Sequence, residues 1–142
     1  MAKAKRIKGL NCKQVASAGI KLVLVTRFNE VYGFQHSAMD WSDQEGVHSM
    51  RVASRRLRSV LRDFMPYLRR RPLASSLKQL RHLADALGEV RDHDVAIAAL
   101  EEIASKAPTH VASGLLSFVE TKKQQRELAR EELKALLESG EL

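Results

Sequence analysis

The sequence of 142 residues has little of several things that common kinds of protein need. A single cysteine, Cys12, excludes a disulfide framework and a cysteine-rich zinc site, and it is typical of a reducing compartment. Seven glycines and three prolines are few for a β-sandwich, and no glycine-rich loop of a nucleotide-binding α/β fold is present. The longest apolar stretch, Val15 to Val25, is interrupted by Lys21 and is too short to span a bilayer. We therefore expect a globular, cytoplasmic protein with no membrane partner.

The positive charge that the chain has in excess is concentrated in one segment. There are 24 lysines and arginines against 17 acidic residues, which gives a net charge of +7. Eight arginines and one acid, Asp63, lie between Arg51 and Arg71, so this segment alone carries the whole excess. Such a block indicates a polyanionic partner, and the alternative is a solvated basic helix face.

Apolar residues recur with a helical period almost throughout the chain. We predict an all-α fold, an antiparallel bundle of about five helices joined by short links. The expected helices cover residues 13–35, 45–68, 72–87, 90–105 and 108–138. Residues 1–12 are expected to form a flexible basic arm, and residues 13–142 a single domain.

Local signals set the boundaries of these helices. Ser42 to Glu45 resembles a capping box, and Pro66 should end or kink the second helix near Met65. Gly88 is expected to separate the third helix from the fourth. The run Leu22 to Val25 could also form a strand, but its length and lack of alternation favour a helix.

The second predicted helix separates cations from apolar residues. At 100° per residue, an arc of about 80° contains His48, Arg51, Arg55, Arg58 and Arg62. The opposite side is apolar and contains Met50, Ala53, Leu57, Val60, Leu61, Phe64 and Leu68. Arginine forks pair with phosphate oxygens, and a row about 20 Å long suits a linear chain of phosphates better than a single phosphate.

Four further cations are candidates for the same surface. Lys78 and Arg81 share one face of the third predicted helix. Lys122 and Arg126 fall inside the apolar stripe of the fifth helix, where charged side chains are rare without partners. Either these two face a wet or anion-filled cleft, or their stems pass the edge of the core to reach solvent.

His48 permits three interpretations, because it shares the arc of the arginines. It is an anion ligand, a phosphoacceptor or a packing residue. A metal site is not favoured, because no histidine or acid follows His48 at the third or fourth position. No catalytic constellation is recognisable in the chain, so we expect neither an enzyme nor a cofactor.

Two segments resemble signatures of a known family. Residues 48–64, HSMRVASRRLRSVLRDF, resemble the opening signature of the CHAD family, the conserved histidine α-helical domain, and residues 77–95 resemble its second signature. Members are helical bundles that bind inorganic polyphosphate through a basic cleft. The resemblance implies that the anion ligands are His48, Arg51, Arg55, Arg58, Arg62 and Lys78. Their orientation on the predicted helices adds Arg81, Lys122 and Arg126 to this set.

The expected function is non-enzymatic binding of inorganic polyphosphate, in the cytoplasm or at polyphosphate granules. The alternatives are a histidine phosphotransfer bundle that uses His48 and a basic protein that binds nucleic acid. Nucleic acid is disfavoured because no aromatic residue interleaves with the arginines to stack on bases. A complete domain of the family has two similar halves and this chain has one, so we predict a homodimer with a shared cleft. The run Leu22 to Val25 is the expected dimer contact.

Overall fold

The computed structural model describes residues 3–11 and 13–139, and all regular structure in these ranges is helical. The elements are α1 (Ala16–Tyr32), α2 (Gln35–Ala38), α3 (Gln44–Phe64), a 3₁₀ turn (Met65–Tyr67), α4 (Arg70–Lys106) and α5 (Thr109–Glu138). The all-α prediction is confirmed, and the run Leu22 to Val25 is helical. The described residues do not include Met1, Ala2, Cys12 or the chain from Gly140 onward, on which parts of the predicted arm and domain fall.

The predicted boundary between the third and fourth helices is wrong, because these two expected helices are one continuous helix, α4. Gly88 lies inside it. A glycine costs a helix about 1 kcal/mol relative to alanine. The nearby residues Leu87 and Val90 are fully buried, and burial of two large apolar side chains outweighs that cost. Helix α4 also begins at Arg70, two residues before Pro72. Proline is tolerated there because the amides of the first helical turn have no intrahelical acceptor, so the N–H group that proline lacks is not needed.

The start of α3 differs from the predicted capping box. The cap is Asp43, whose carboxylate accepts a hydrogen bond from the amide of Glu45 at 2.9 Å. Ser42 instead donates its hydroxyl and its amide to Asp40, and these hydrogen bonds lower the pKa of the Asp40 carboxyl. At the other end, α3 stops at Phe64 and Pro66 lies in the 3₁₀ turn, as its missing amide predicts.

The chain divides into two compact units, one up to Ala84 and the other from Asp85. In the first unit, α3 packs against both α1 and α2. The buried apolar residues of these three helices are Val23, Val31, Ala38, Val47, Met50, Ala53 and Leu57. A Cβ atom placed on Gly46 would overlap the carbonyl of Ser37. The approach of α2 to α3 therefore requires glycine at position 46.

The second unit contains the rest of α4 and α5 as an antiparallel pair. Lys123 bonds Glu101 at 3.0 Å, whereas the later Arg126 bonds the earlier Asp94 at 3.5 Å. The core of this unit includes Leu87, Val90, Ile97, Ala104, Val119, Ala129, Leu133 and Leu137.

The N-terminal arm is held to α1 around one buried carboxylate. Glu30 is only 2% exposed, and it accepts hydrogen bonds from the amide of Lys5 and from the guanidinium of Arg27. Arg27 also donates to the carbonyl of Lys5 at 3.1 Å. Burial raises the pKa of Glu30, but these hydrogen bonds and the charges of Arg27 and Arg56 outweigh burial, so the pKa is lowered. In the described ranges, no helix is long and apolar enough to cross a bilayer.

Candidate anion-binding site

A groove in the first unit is lined by four arginines from two helices. Arg55, Arg58 and Arg62 belong to α3 and Arg81 belongs to α4; the groove has a volume of about 560 Å³. All four residues are exposed. The rest of the lining is formed by Ser59, Leu61, Met65, Leu77 and Leu80. We refer to this site as the arginine groove.

The two-sided pattern of α3 is the reason for this placement. Met50, Ala53 and Leu57 are buried on one side, as their spacing predicts, which turns Arg55 and Arg58 toward solvent. Arginines three and four positions apart lie on one face of a helix. The three arginines of α3 thus form a row about 10 Å long at 1.5 Å per residue. The later apolar residues of the stripe, Val60, Leu61, Phe64 and Leu68, are half-buried.

Little negative charge neutralises the arginine groove. The Nε atom of Arg62 lies 3.6 Å from the carboxylate of Asp63, and the two side chains are 79% and 64% exposed. An ion pair this exposed contributes at most about 1 kcal/mol. Within residues 3–11 and 13–139, Arg55, Arg58 and Arg81 have no ion pair. The row therefore carries a repulsion that a bound anion would relieve.

Three predicted ligands do not line the arginine groove. His48 and Arg51 lie half-buried near the start of α3, and the Nδ1 atom of His48 is buried without a hydrogen-bond partner among the described residues. Lys78 is exposed on α4, one helical turn before Arg81. These residues share the helices of the groove but not its lining.

The remaining two predicted ligands, Lys122 and Arg126, belong to the second unit. The Arg126 side chain is 16% exposed and bonds the carboxylates of Asp94 at 3.5 Å and Glu127 at 3.1 Å. The Nζ atom of Lys122 donates to Gln125 at 2.9 Å and lies 5.5 Å from the ring centre of Phe118. The position of Arg126 inside an apolar stripe is thus explained by a carboxylate partner on α4.

Asp94 is a buried carboxylate of the second unit whose partners were not predicted from the sequence. It also faces Arg130 at 3.8 Å, while its Oδ2 atom has no partner among the described residues. Asp94 and Arg126 are 32 positions apart, so no local pattern joins them.

Ser59 was missed in the arginine groove, although a signal for it existed. Helical rotation places Ser59 about 40° from Arg55, at the edge of the cationic arc. Its hydroxyl can donate a hydrogen bond to an anion, although a pattern of charged residues does not include it.

No group of three or more metal-ligating side chains occurs in the described parts of the chain. The arginine groove offers anion-binding donors and no carboxylate cluster.

A comparison with protein families decides the classification. The family model for the CHAD domain matches residues 27–142. The chain belongs to the CHAD family. The matched residues include all of α3, α4 and α5, and therefore both signature-like segments and the whole arginine groove of this CHAD-family chain. No curated protein and no solved structure matches the chain.

Proposed function

We propose that this CHAD-family chain binds inorganic polyphosphate in the arginine groove and does not act on it chemically. The observation that supports the proposal most is the convergence of four exposed arginines from α3 and α4 on one groove with a single weak ion pair. A chain of phosphates supplies the missing negative charge at several points along the row. One phosphate group would meet only part of a row about 10 Å long.

The groove has the donors that such a ligand needs. Each guanidinium offers paired N–H groups that match phosphate oxygens, and the hydroxyl of Ser59 adds a neutral donor. Arg81 stands on α4, so it approaches the ligand from a different helix than Arg55 and Arg58. We assign the main binding role to the four groove arginines. Arg51 and His48 would contact a longer chain beyond the end of the groove.

The binding is expected to depend strongly on salt, because polyanions release counterions when lysine and arginine neutralise them. Titration of polyphosphate and of duplex DNA, side by side across a salt series, tests the ligand class. We expect tighter binding of polyphosphate and no release of orthophosphate. Preference for DNA, affinity that does not change with salt, or hydrolysis of polyphosphate would each contradict the proposal.

A double-mutant cycle tests the groove itself. Arg55→Ala and Arg81→Ala should each weaken polyphosphate binding about fivefold to tenfold, which corresponds to about 1 kcal/mol for a charged contact in a wet site. Because one ligand would bridge the two helices, the losses should be coupled. Lys21→Ala is the matched control, since it removes an exposed cation of α1 that does not line the groove. An equal loss in the control would show that binding follows net charge alone.

The phosphotransfer alternative is tested separately. Incubation with a small-molecule phosphodonor tests this alternative at the Nε2 atom of His48, because the Nδ1 atom is buried, and we expect no modification. Detection of phosphohistidine would replace the binding proposal with a transfer function.

For the cell, we propose a cytoplasmic location at polyphosphate deposits. A fluorescent fusion protein that does not colocalise with these deposits would contradict this location.

A further inference from the structure

The arginine groove has an apolar part that inorganic polyphosphate does not use. Besides the arginines and Ser59, its lining contains four apolar side chains, Leu61, Met65, Leu77 and Leu80. The arginines are exposed, whereas three of these apolar residues are half-buried and Leu80 is 8% exposed. The apolar side chains therefore lie deeper in the groove than the guanidinium groups. We call these four residues the apolar floor.

The apolar floor is short. Leu61 and Met65 are four positions apart at the end of α3, and Leu77 and Leu80 are three positions apart on α4. At 1.5 Å per residue, each pair spans about 6 Å or less along its helix. A floor of this length has room for a flat ring system, but not for a long acyl chain.

The size and charge of the groove limit the ligand further. Its volume of about 560 Å³ lies within the range of about 300–1,000 Å³ that is usual for small-molecule sites. The row of Arg55, Arg58 and Arg62 is about 10 Å long, so it can engage several linked phosphates. Guanidinium groups also stack on planar rings, which gives the arginines a second way to hold a ring on the floor.

Four anions can be compared by their chemistry. Inorganic polyphosphate satisfies the arginines and leaves the apolar floor in water, and an acyl phosphate with a long chain exceeds the floor. Duplex DNA keeps its bases stacked inside the helix, where the floor does not reach them. A nucleoside triphosphate matches both parts of the groove, because it has linked phosphates for the arginines and a planar base for the floor.

We propose that the arginine groove also binds a nucleoside triphosphate, with its phosphates on the arginines and its base on the apolar floor. This inference rests on the proposed function, since the same arginines would hold the phosphates of either ligand. It adds the class of ligand that the apolar floor would select.

Titration calorimetry of the full chain with ATP and with inorganic tripolyphosphate, both without divalent metal, tests the inference. Both ligands have three linked phosphates, and tripolyphosphate carries at least as much negative charge, so charge alone does not favour ATP. We expect ATP to bind about fivefold to tenfold more tightly, because its base covers apolar surface. Long-chain polyphosphate should displace ATP, since the two would share the arginines.

A substitution in the apolar floor tests the location of the base. Met65→Ser should remove the preference for ATP and leave the affinity for tripolyphosphate unchanged. Met39→Ser is the matched control, because both residues are half-buried methionines at the C-terminal cap of a helix in the first unit and Met39 does not line the groove. Arg55→Ala should weaken the binding of both ligands. Circular dichroism verifies that each variant is folded, and the comparison of the two ligands on the unmodified chain needs no variant.

Four outcomes would overturn the inference. They are equal or tighter binding of tripolyphosphate, a preference for ATP that persists in Met65→Ser, an equal loss of that preference in Met39→Ser, and ATP that long-chain polyphosphate does not displace. If polyphosphate binds and ATP shows no preference over tripolyphosphate, only this inference fails. If Arg55→Ala changes the binding of neither ligand, the proposed function fails as well.

Discussion

Leu57 and Arg58 are neighbours in the sequence, but substitution of Leu57 should affect stability and substitution of Arg58 should affect binding. Leu57 is 5% exposed in the core of the first unit, whereas Arg58 is exposed in the arginine groove. Leu57→Ala should remove about 3 kcal/mol from the free energy of unfolding, since it leaves a cavity in the core. For a chain of this length, that loss lowers the melting temperature by about 6–12 °C. Arg58→Ala should change the free energy of unfolding by less than about 0.5 kcal/mol.

The binding measurement should give the reverse order. Arg58→Ala should weaken polyphosphate binding about fivefold to tenfold. It should also reduce the dependence of binding on salt, because a variant with one phosphate contact fewer releases fewer counterions when it binds. Leu57→Ala should bind normally at temperatures where it is folded. Thermal unfolding followed by the fluorescence of the single tryptophan, Trp41, gives the first quantity, and titration calorimetry gives the second. Equal stability losses in the two variants would show that the assigned faces of α3 are wrong.

Four other predictions concern stability and assembly. Gly46→Ala should lower the melting temperature, since its Cβ overlaps a backbone carbonyl. Gly114→Ala, in open space on α5, should raise the free energy of unfolding by up to about 1 kcal/mol. A change of stability in the same direction for both variants would contradict the packing. The pKa of Glu30 is lowered on folding, so its contribution to stability should be complete above pH 4.5 and disappear as the pH falls through the lowered pKa; urea unfolding of Glu30→Gln should lack this pH dependence. Asp94→Asn should cost about 3 kcal/mol in urea unfolding because Arg126 loses a buried carboxylate, and a negligible change would refute that role. Light scattering should detect a homodimer that polyphosphate strengthens, and a monomer at low and high salt, with and without polyphosphate, would leave a one-sided basic face.

Strong local periodicity made α3 predictable. Its apolar residues and its arginines occupy opposite sides of one helix, so rotation alone placed Leu57 inside and Arg55 and Arg58 outside. The arginine groove also needs Arg81 from α4. The orientation of Arg81 on its own helix made it a candidate ligand. That it lines the same groove as Arg55 depends on how α3 and α4 pack within the first unit, and the pattern of a single helix does not contain this information.

Tertiary contacts decided the features that sequence reasoning missed. Gly88 has a poor helical propensity, yet burial of Leu87 and Val90 keeps α4 continuous through it. Asp94 bonds Arg126 across 32 positions, and Lys5 bonds Glu30 across 25. Such pairs depend on the path of the whole chain, so neither the charge pattern nor the helical period could reveal them.

The packing of α1 has a practical consequence for anyone who shortens this protein. The CHAD match begins at residue 27, inside α1, but the first unit begins earlier. A fragment cut at the family boundary would lose Val23 from the core and the Lys5 amide from Glu30, so that a buried carboxylate would lose a donor. The boundary of the folding unit therefore lies at least as early as Lys5. Fragments designed for expression should keep that residue, although the similarity to other family members starts 22 positions later.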